Sequence, residues 1–141
     1  MVVNRIQVKR VYDPAEPTDG YRMLVDRLWP RGMRKDALPL DEWAKDLAPS
    51  SDLRRAWHDG DIPTDEFQRA YAGELDGSDA LIRLYGHILE GPVTLLVATR
   101  SPEVSHAHVI VDALERLFRQ RAMRHQGGPP GERVRLVGRI E

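Results

Sequence analysis

Arg27, Trp29 and Arg31 lie within five residues of one another, in the run Val-Asp-Arg-Leu-Trp-Pro-Arg-Gly that begins at Val25. Guanidinium groups are planar, permanently charged and able to give paired hydrogen bonds to phosphate or carboxylate. A third, Arg100, closes an apolar run and is followed by Ser101-Pro102, the cap-then-proline form that opens a helix. A helix start presents unpaired N–H groups and the positive end of its dipole, so it attracts anions. Arg27, Arg31, Arg100 and Ser101 together point to an anion pocket, with Trp29 either its wall or part of the core. The plainer alternative for the arginines is salt bridging with Asp26, Asp41, Glu42 or Asp46.

Two further groups bear on chemistry at such a pocket. His106 follows Ser101 by five residues; near a helix start and facing the strand ends, it would suit a general base or hydrogen-bond donor. The alternative is a core histidine with its hydrogen bonds satisfied. Lys45 and Asp46 sit beside each other in Glu-Trp-Ala-Lys-Asp-Leu, where Lys45 would add a ligand-binding cation and Asp46 an acid or base. On an amphipathic helix such charges are otherwise solvated. No glycine-rich phosphate loop, Gly-x-Ser-x-Gly elbow or cysteine is present. His106 and His108 are two apart, on different sides of a helix, so a zinc pair is not indicated. The motifs call for neither metal nor cofactor.

The elements that must position these residues follow from periodicity. Ile6–Tyr12 alternates as a half-buried strand, and Met23–Trp29 reads as a second strand stopped by Pro30. Leu40, Trp43, Ala44 and Leu47 have helical spacing between Pro39 and Pro49. Ser50 or Ser51 can cap a helix carrying Leu53, Ala56 and Trp57. Thr64 can cap the next, with Phe67, Tyr71 and Leu75 on one face, and Ser78 a fourth, with Leu81, Leu84, Tyr85 and Ile88 inward. Gly91 suits a left-handed helix end before Pro92. Val93–Ala98 is almost wholly apolar, the mark of a central parallel strand covered on both faces. Beyond Ser101 the stripe His106, Val109, Ile110, Ala113, Leu114 and Leu117 predicts a long helix. The stretch from Gln126 to Glu132 reads as a mobile linker, and Val134–Ile140 as an edge strand or tail.

Strands separated by helices predict an α/β fold: a small, mainly parallel sheet flanked by helices, with a helical insert between the second and third strands. In open sheets of this kind ligands bind at the carboxyl ends of the strands, where Arg27, Arg31, Arg100 and Ser101 fall. A chain of 141 residues, 41% hydrophobic and 30% charged, fits one domain over residues 1–121 with an extension over 122–141. The net charge of −1 averages basic ends with an acidic middle, and 18 of 21 basic residues are arginine. Near-neutrality argues against general nucleic-acid binding. No stretch has the length of a membrane span, and the absence of cysteine and of an apolar leader predicts a cytoplasmic protein. Oligomeric state is not encoded in any pattern.

Three of these segments carry a resemblance. Asp19–Met33 (Asp-Gly-Tyr-Arg-Met-Leu-Val-Asp-Arg-Leu-Trp-Pro-Arg-Gly-Met), Leu40–Pro49 (Leu-Asp-Glu-Trp-Ala-Lys-Asp-Leu-Ala-Pro) and Gly91–Ala98 (Gly-Pro-Val-Thr-Leu-Leu-Val-Ala) resemble the YeaO-like family catalogued as domain of unknown function 488. The likeness runs from about Val8 to Leu117. It implies a compact α/β fold and a small cytoplasmic protein, and brings no activity with it. There is one departure: where the family commonly shows Lys-Asp and then His-Asn-His, this chain has Arg100-Ser101 and Val104-Ser105-His106. A mechanism needing both histidines, or a metal between them, does not carry over. The expected function is binding of a small anionic ligand, with or without turnover. The alternatives are a protein-interaction or self-association module, or a nucleic-acid-binding accessory protein.

Overall fold

The computed structural model describes residues 5–100 and 106–126. Strands β1 (Ile6–Arg10), β2 (Tyr21–Leu24), β3 (Glu42–Trp43) and β4 (Val93–Val97) form one sheet in the order β1-β4-β2-β3. Every pairing is parallel. Helices α1 (Ser51–His58), α2 (Thr64–Leu75) and α3 (Asp79–Glu90) fill the connection between β3 and β4, and α4 (Ala107–Gln126) follows the sheet. The fold is therefore α/β with a helical insert ahead of its last strand.

The apolar run of β4 takes an inner position because it can be covered on both faces, and all five of its residues are buried. Side chains alternate along each strand and so divide the core in two. Met23, Val25, Val93, Leu95 and Val97 pack with the inward residues of α2, α3 and α4. Leu24 and Leu96 face the other way and meet Val11 and Leu38, with Trp29, Met33, Leu40 and Trp43 packed around them. One face of the sheet is covered by helices, the other by the loops after β1 and β2.

The loop-covered face is polar toward the amino ends of the strands. There Asp19, 1% exposed, accepts hydrogen bonds from Lys9 (3.0 Å), Gln7 (3.1 Å) and the Arg22 guanidinium. Thr94 donates its hydroxyl to the Asp19 carbonyl at 2.7 Å. Burial works against the Asp19 charge, but the bonds from the Glu16 N–H, Lys9 and Arg22 outweigh it and hold the carboxyl below its ordinary range. Gly20 follows at φ 67°, and a Cβ there would overlap the Pro92 carbonyl, which accepts from the Tyr21 N–H at 3.0 Å.

The helices follow their capping residues and stripes. Ser50 and Ser78 accept hydrogen bonds from the N–H groups of Leu53 (3.2 Å) and Leu81 (3.1 Å) and open α1 and α3. Phe67, Tyr71 and Leu75 are buried on α2, and Leu81, Leu84, Tyr85 and Ile88 on α3. On α4 the buried stripe holds Val109, Ile110, Ala113 and Leu114. Thr64 is the first residue of its helix and not its cap. Gly91 has φ 170°, extended backbone, and not the left-handed turn expected of it.

Two segments differ from their sequence expectation. The helix expected over Leu40–Leu47 is instead β3 followed by a single 3-10 turn at Lys45–Leu47. Its amides are drawn into the sheet: Asp41 N–H donates to the Arg22 carbonyl (2.9 Å) and Ala44 N–H to that of Leu24 (2.7 Å). Leu40 and Trp43 pack on the loop-covered face while Ala44 and Leu47 enter the helical core, so residues expected on one stripe divide between two faces. The second strand stops at Leu24, well short of Trp29. Val25 N–H still reaches the Leu96 carbonyl (3.1 Å), but beyond it the Asp26 carboxylate takes the Ala98 N–H at 2.9 Å and ends the ladder. Of the linker expected over Gln126–Glu132, Gln126 is the last residue of α4; the rest of it, the Ser101-Pro102 helix opening and the strand over Val134–Ile140 lie outside the described residues.

Candidate functional site

The carboxyl ends of β2, β3 and β4 open into a cavity of about 380 Å³. The segment after β2 gives it Asp26, Arg27, Trp29 and Arg31; the stretch after β4 gives Ala98 and Thr99. Arg54 and Trp57 come from α1, Phe67 from α2, and His106 from the turn just before α4. Parallel strands end at one edge of the sheet, and the chain leaves each strand there in a loop free of ladder bonding. Two cross-links tie these loops together. Arg10 Nε donates to the Thr99 carbonyl (3.0 Å), and the Tyr12 hydroxyl donates to the Arg31 carbonyl (3.1 Å).

Asp26 organises one wall. Its Oδ2 accepts the Ala98 N–H, its Oδ1 lies 3.3 Å from His106 Nε2, and its carbonyl accepts from Trp43 Nε1 at 2.9 Å. His106 Nε2 also lies 2.9 Å from the Val25 carbonyl. A carbonyl only accepts, so Nε2 carries a proton and donates it. Beside this pair the Tyr71 hydroxyl donates to the Leu47 carbonyl, and burial pushes its pKa well above that of free tyrosine.

Three cations share the lining with this pair. Arg27 is half-buried and donates from Nε to the Pro49 carbonyl at 3.2 Å, which fixes its side chain without neutralising it. Arg31 and Arg54 are exposed. Among the described residues, none of Arg27, Arg31 and Arg54 is ion-paired with a carboxylate. The salt-bridge alternative for Arg27 and Arg31 is thus not what the side chains do.

The aromatic wall is held from behind. Trp57 stacks on Phe67 with ring centroids 4.3 Å apart and planes inclined by 14°, and its Nε1 donates to Thr64 Oγ1 at 3.2 Å. Trp29 meets Trp43 edge-on at 5.2 Å and donates from Nε1 to the Met33 carbonyl at 2.6 Å.

Of the residues singled out in the sequence, Arg27, Trp29, Arg31 and His106 line this one cavity. Lys45 and Asp46 do not. Lys45 Nζ sits 4.0 Å over the Trp43 ring, and Asp46 is bridged to Arg83 at 2.9 Å, beside Glu42. The 3-10 turn that replaces the expected helix turns both away from the strand ends. Arg100 is exposed and outside the cavity lining, and Ser101 lies outside the described residues. Sequence reasoning passed over Arg54, treated Trp57 only as a core residue, and weighed Asp26 only as a salt-bridge partner. The available signal was the i, i+3 spacing of Arg54 and Trp57 on a helix that follows the strand ends. Among the described residues no group of three His, Asp or Glu side chains is arranged to hold a metal ion, and no helix is long and apolar enough to cross a membrane.

Residues 5–131 match the family model described as the inactive DUF488-N3 subclade. The protein YeaO of Escherichia coli K12 is 45% identical over 113 residues, covering 79% of this chain and 98% of that protein. The chain belongs to the YeaO-like DUF488 family. Proteins of Mycobacterium tuberculosis H37Rv (Rv3073c) and Mycobacterium bovis (Mb3100c) are each 44% identical over 110 residues, covering 78% of this chain and 93% of theirs. All three carry the description uncharacterized. No solved structure gives a significant match. The family match extends past Leu117, where the resemblance read from the sequence ended, and takes in all of α4.

Proposed function

We propose that the protein binds a small anionic ligand in the strand-end cavity and does not turn it over. The observation that carries this reading is the convergence of Arg27, Arg31 and Arg54 on one cavity with no carboxylate paired to any of them among the described residues. Three permanent positive charges held together repel one another, and an anion relieves that repulsion while accepting charge-assisted hydrogen bonds. Among the described residues Asp26 is the one carboxylate in the lining, and its oxygens already face the Ala98 N–H and His106. Binding without turnover is favoured by the word inactive in the description of the matched subclade, and by Val104-Ser105-His106 standing where the family resemblance carries two histidines. On this reading the cytoplasm, rich in phosphorylated and carboxylated metabolites, is where the protein works.

Calorimetric titration with inorganic phosphate and sulfate tests it. Arg31→Met and Arg54→Met should each weaken binding by about 1.5 kcal/mol, close to tenfold, the low end for a bond to a charged group because both side chains are exposed. Arg100→Met removes a charge outside the cavity lining and should leave binding nearly unchanged. No heat of binding to the wild type, or equal affinity in the wild type and the double variant, overturns the proposal.

A further inference from the structure

The cavity pairs its cations with a kind of wall that a bare inorganic anion does not use. Trp57 is 39% exposed, and it stands in the cavity lining with Arg54 three residues before it on α1. One face of its indole is covered by Phe67, itself buried, and its N–H is anchored on Thr64. The ring is therefore exposed and yet fixed in orientation. Trp29, on the same cavity, is anchored in the same manner by Trp43 and the Met33 carbonyl. Ordering a flexible side chain costs conformational entropy on binding, and an indole already pinned from behind avoids that cost.

Resting on the anion-site reading, we propose that the ligand is an anion bearing a planar aromatic ring, of the chemical class of nucleoside monophosphates. Arg27, Arg31 and Arg54 hold its phosphate, and its ring stacks on the open part of Trp57. The volume fits this class. At about 380 Å³ the cavity lies at the small end of the roughly 300–1,000 Å³ typical of small-molecule sites, room for one ring and one phosphate and not for a dinucleotide. The formal net charge of −1 at pH 7 favours a free mononucleotide over the phosphorylated end of a nucleic-acid strand, whose binding draws on an extended basic track. A stacked base contributes enough to change affinity by roughly five- to 150-fold.

Calorimetry on the full chain compares inorganic phosphate, ribose 5-phosphate, adenosine monophosphate and a 5′-phosphorylated tetranucleotide, with tryptophan fluorescence as a second readout. Adenosine monophosphate should bind at least about fivefold more tightly than ribose 5-phosphate and quench part of the fluorescence. Trp57→Leu should abolish both the advantage and that quenching while inorganic phosphate binds as before, and Trp57→Phe should restore most of the advantage. Retention of the phosphate response shows that the Leu variant has folded. Equal binding of adenosine monophosphate and ribose 5-phosphate, both lost in Arg31→Met/Arg54→Met, overturns the ring and leaves the anion site standing. Failure of every phosphate compound to bind the wild type overturns both readings. Tighter binding of the tetranucleotide than of the mononucleotide overturns the assignment to a free nucleotide.

Discussion

Asp19 and Asp26 show how differently one residue type behaves at the two ends of the same sheet. Asp19, at the amino end, is closed off from water and surrounded by Lys9, Gln7, Arg22 and Thr94. Asp26, at the carboxyl end, has 19% of its side chain exposed and keeps His106 in place beside an open cavity. The first is a structural charge: among the described residues it is the one carboxylate on the Arg22 guanidinium, while Lys9 also reaches Glu16 at 3.2 Å. Asp19→Asn should destabilise the fold by about 3–5 kcal/mol, read from denaturant midpoints, because Lys9 and Arg22 lose their shared counter-charge. The pH dependence has a definite sign. A carboxyl held below its unfolded value of 3.8 contributes stability that is fully present above that value and is lost as pH falls through the lower folded one. The wild type should therefore lose stability more steeply than Asp19→Asn as the medium is acidified below about pH 4. Parallel acid-unfolding curves for the two proteins would show that Asp19 carries no such linkage.

At the scale of elements, β4 is the part on which the others depend, being flanked by β1 and β2 and covered on both faces. Leu95→Ala in β4 and Leu114→Ala in α4, both side chains fully buried, should each cost about 2–5 kcal/mol through the cavity left behind. Ile82→Ala, at a position 43% exposed, should fall within about 0.5 kcal/mol of the wild type. Urea titrations of the three variants give the comparison, and an unchanged midpoint for Leu95→Ala would contradict the inner place of β4. That place was legible in the sequence, because an almost wholly apolar run suits a strand with two covered faces. The stripes of α2, α3 and α4 were legible for the same kind of reason, each facing a single core. Leu40, Trp43, Ala44 and Leu47 were not, because an i, i+3, i+4, i+7 pattern also arises when a short strand and a turn send neighbours to opposite faces. Only the hydrogen bonds from Asp41 and Ala44 to β2 separate the two cases, and a partner 19 or 20 positions away leaves no local trace. The site divides along the same line. Arg27, Trp29, Arg31 and His106 could be read from strand-end logic, whereas Arg54 and Trp57 reach the cavity through the packing of α1 against α2.

Over the whole molecule the cavity lies where the helical layer and the loop-covered face meet, since Phe67 belongs to the helical core and Trp29 packs with the opposite cluster. A ligand seated there touches both layers and binds only when they are assembled, so occupancy adds to folding stability. At a ligand concentration a hundred times its dissociation constant the gain is about 2.7 kcal/mol. For a chain of 141 residues that corresponds to a rise in Tm of roughly 5–11 °C. Salt separates this effect from the rest of the fold. Arg31 and Arg54 face solvent, where the screening length shortens from about 10 Å at 0.1 M salt to about 3 Å at 1 M. The apolar core and the closed Asp19 cluster lie beyond such screening. Raising sodium chloride at a fixed, subsaturating level of phosphate ligand should thus shrink the ligand-induced rise in Tm while the Tm of the free protein stays nearly constant. Differential scanning fluorimetry over a salt series measures both quantities together. A ligand-induced shift that ignores salt would mean that the exposed arginines do not hold the ligand's charge.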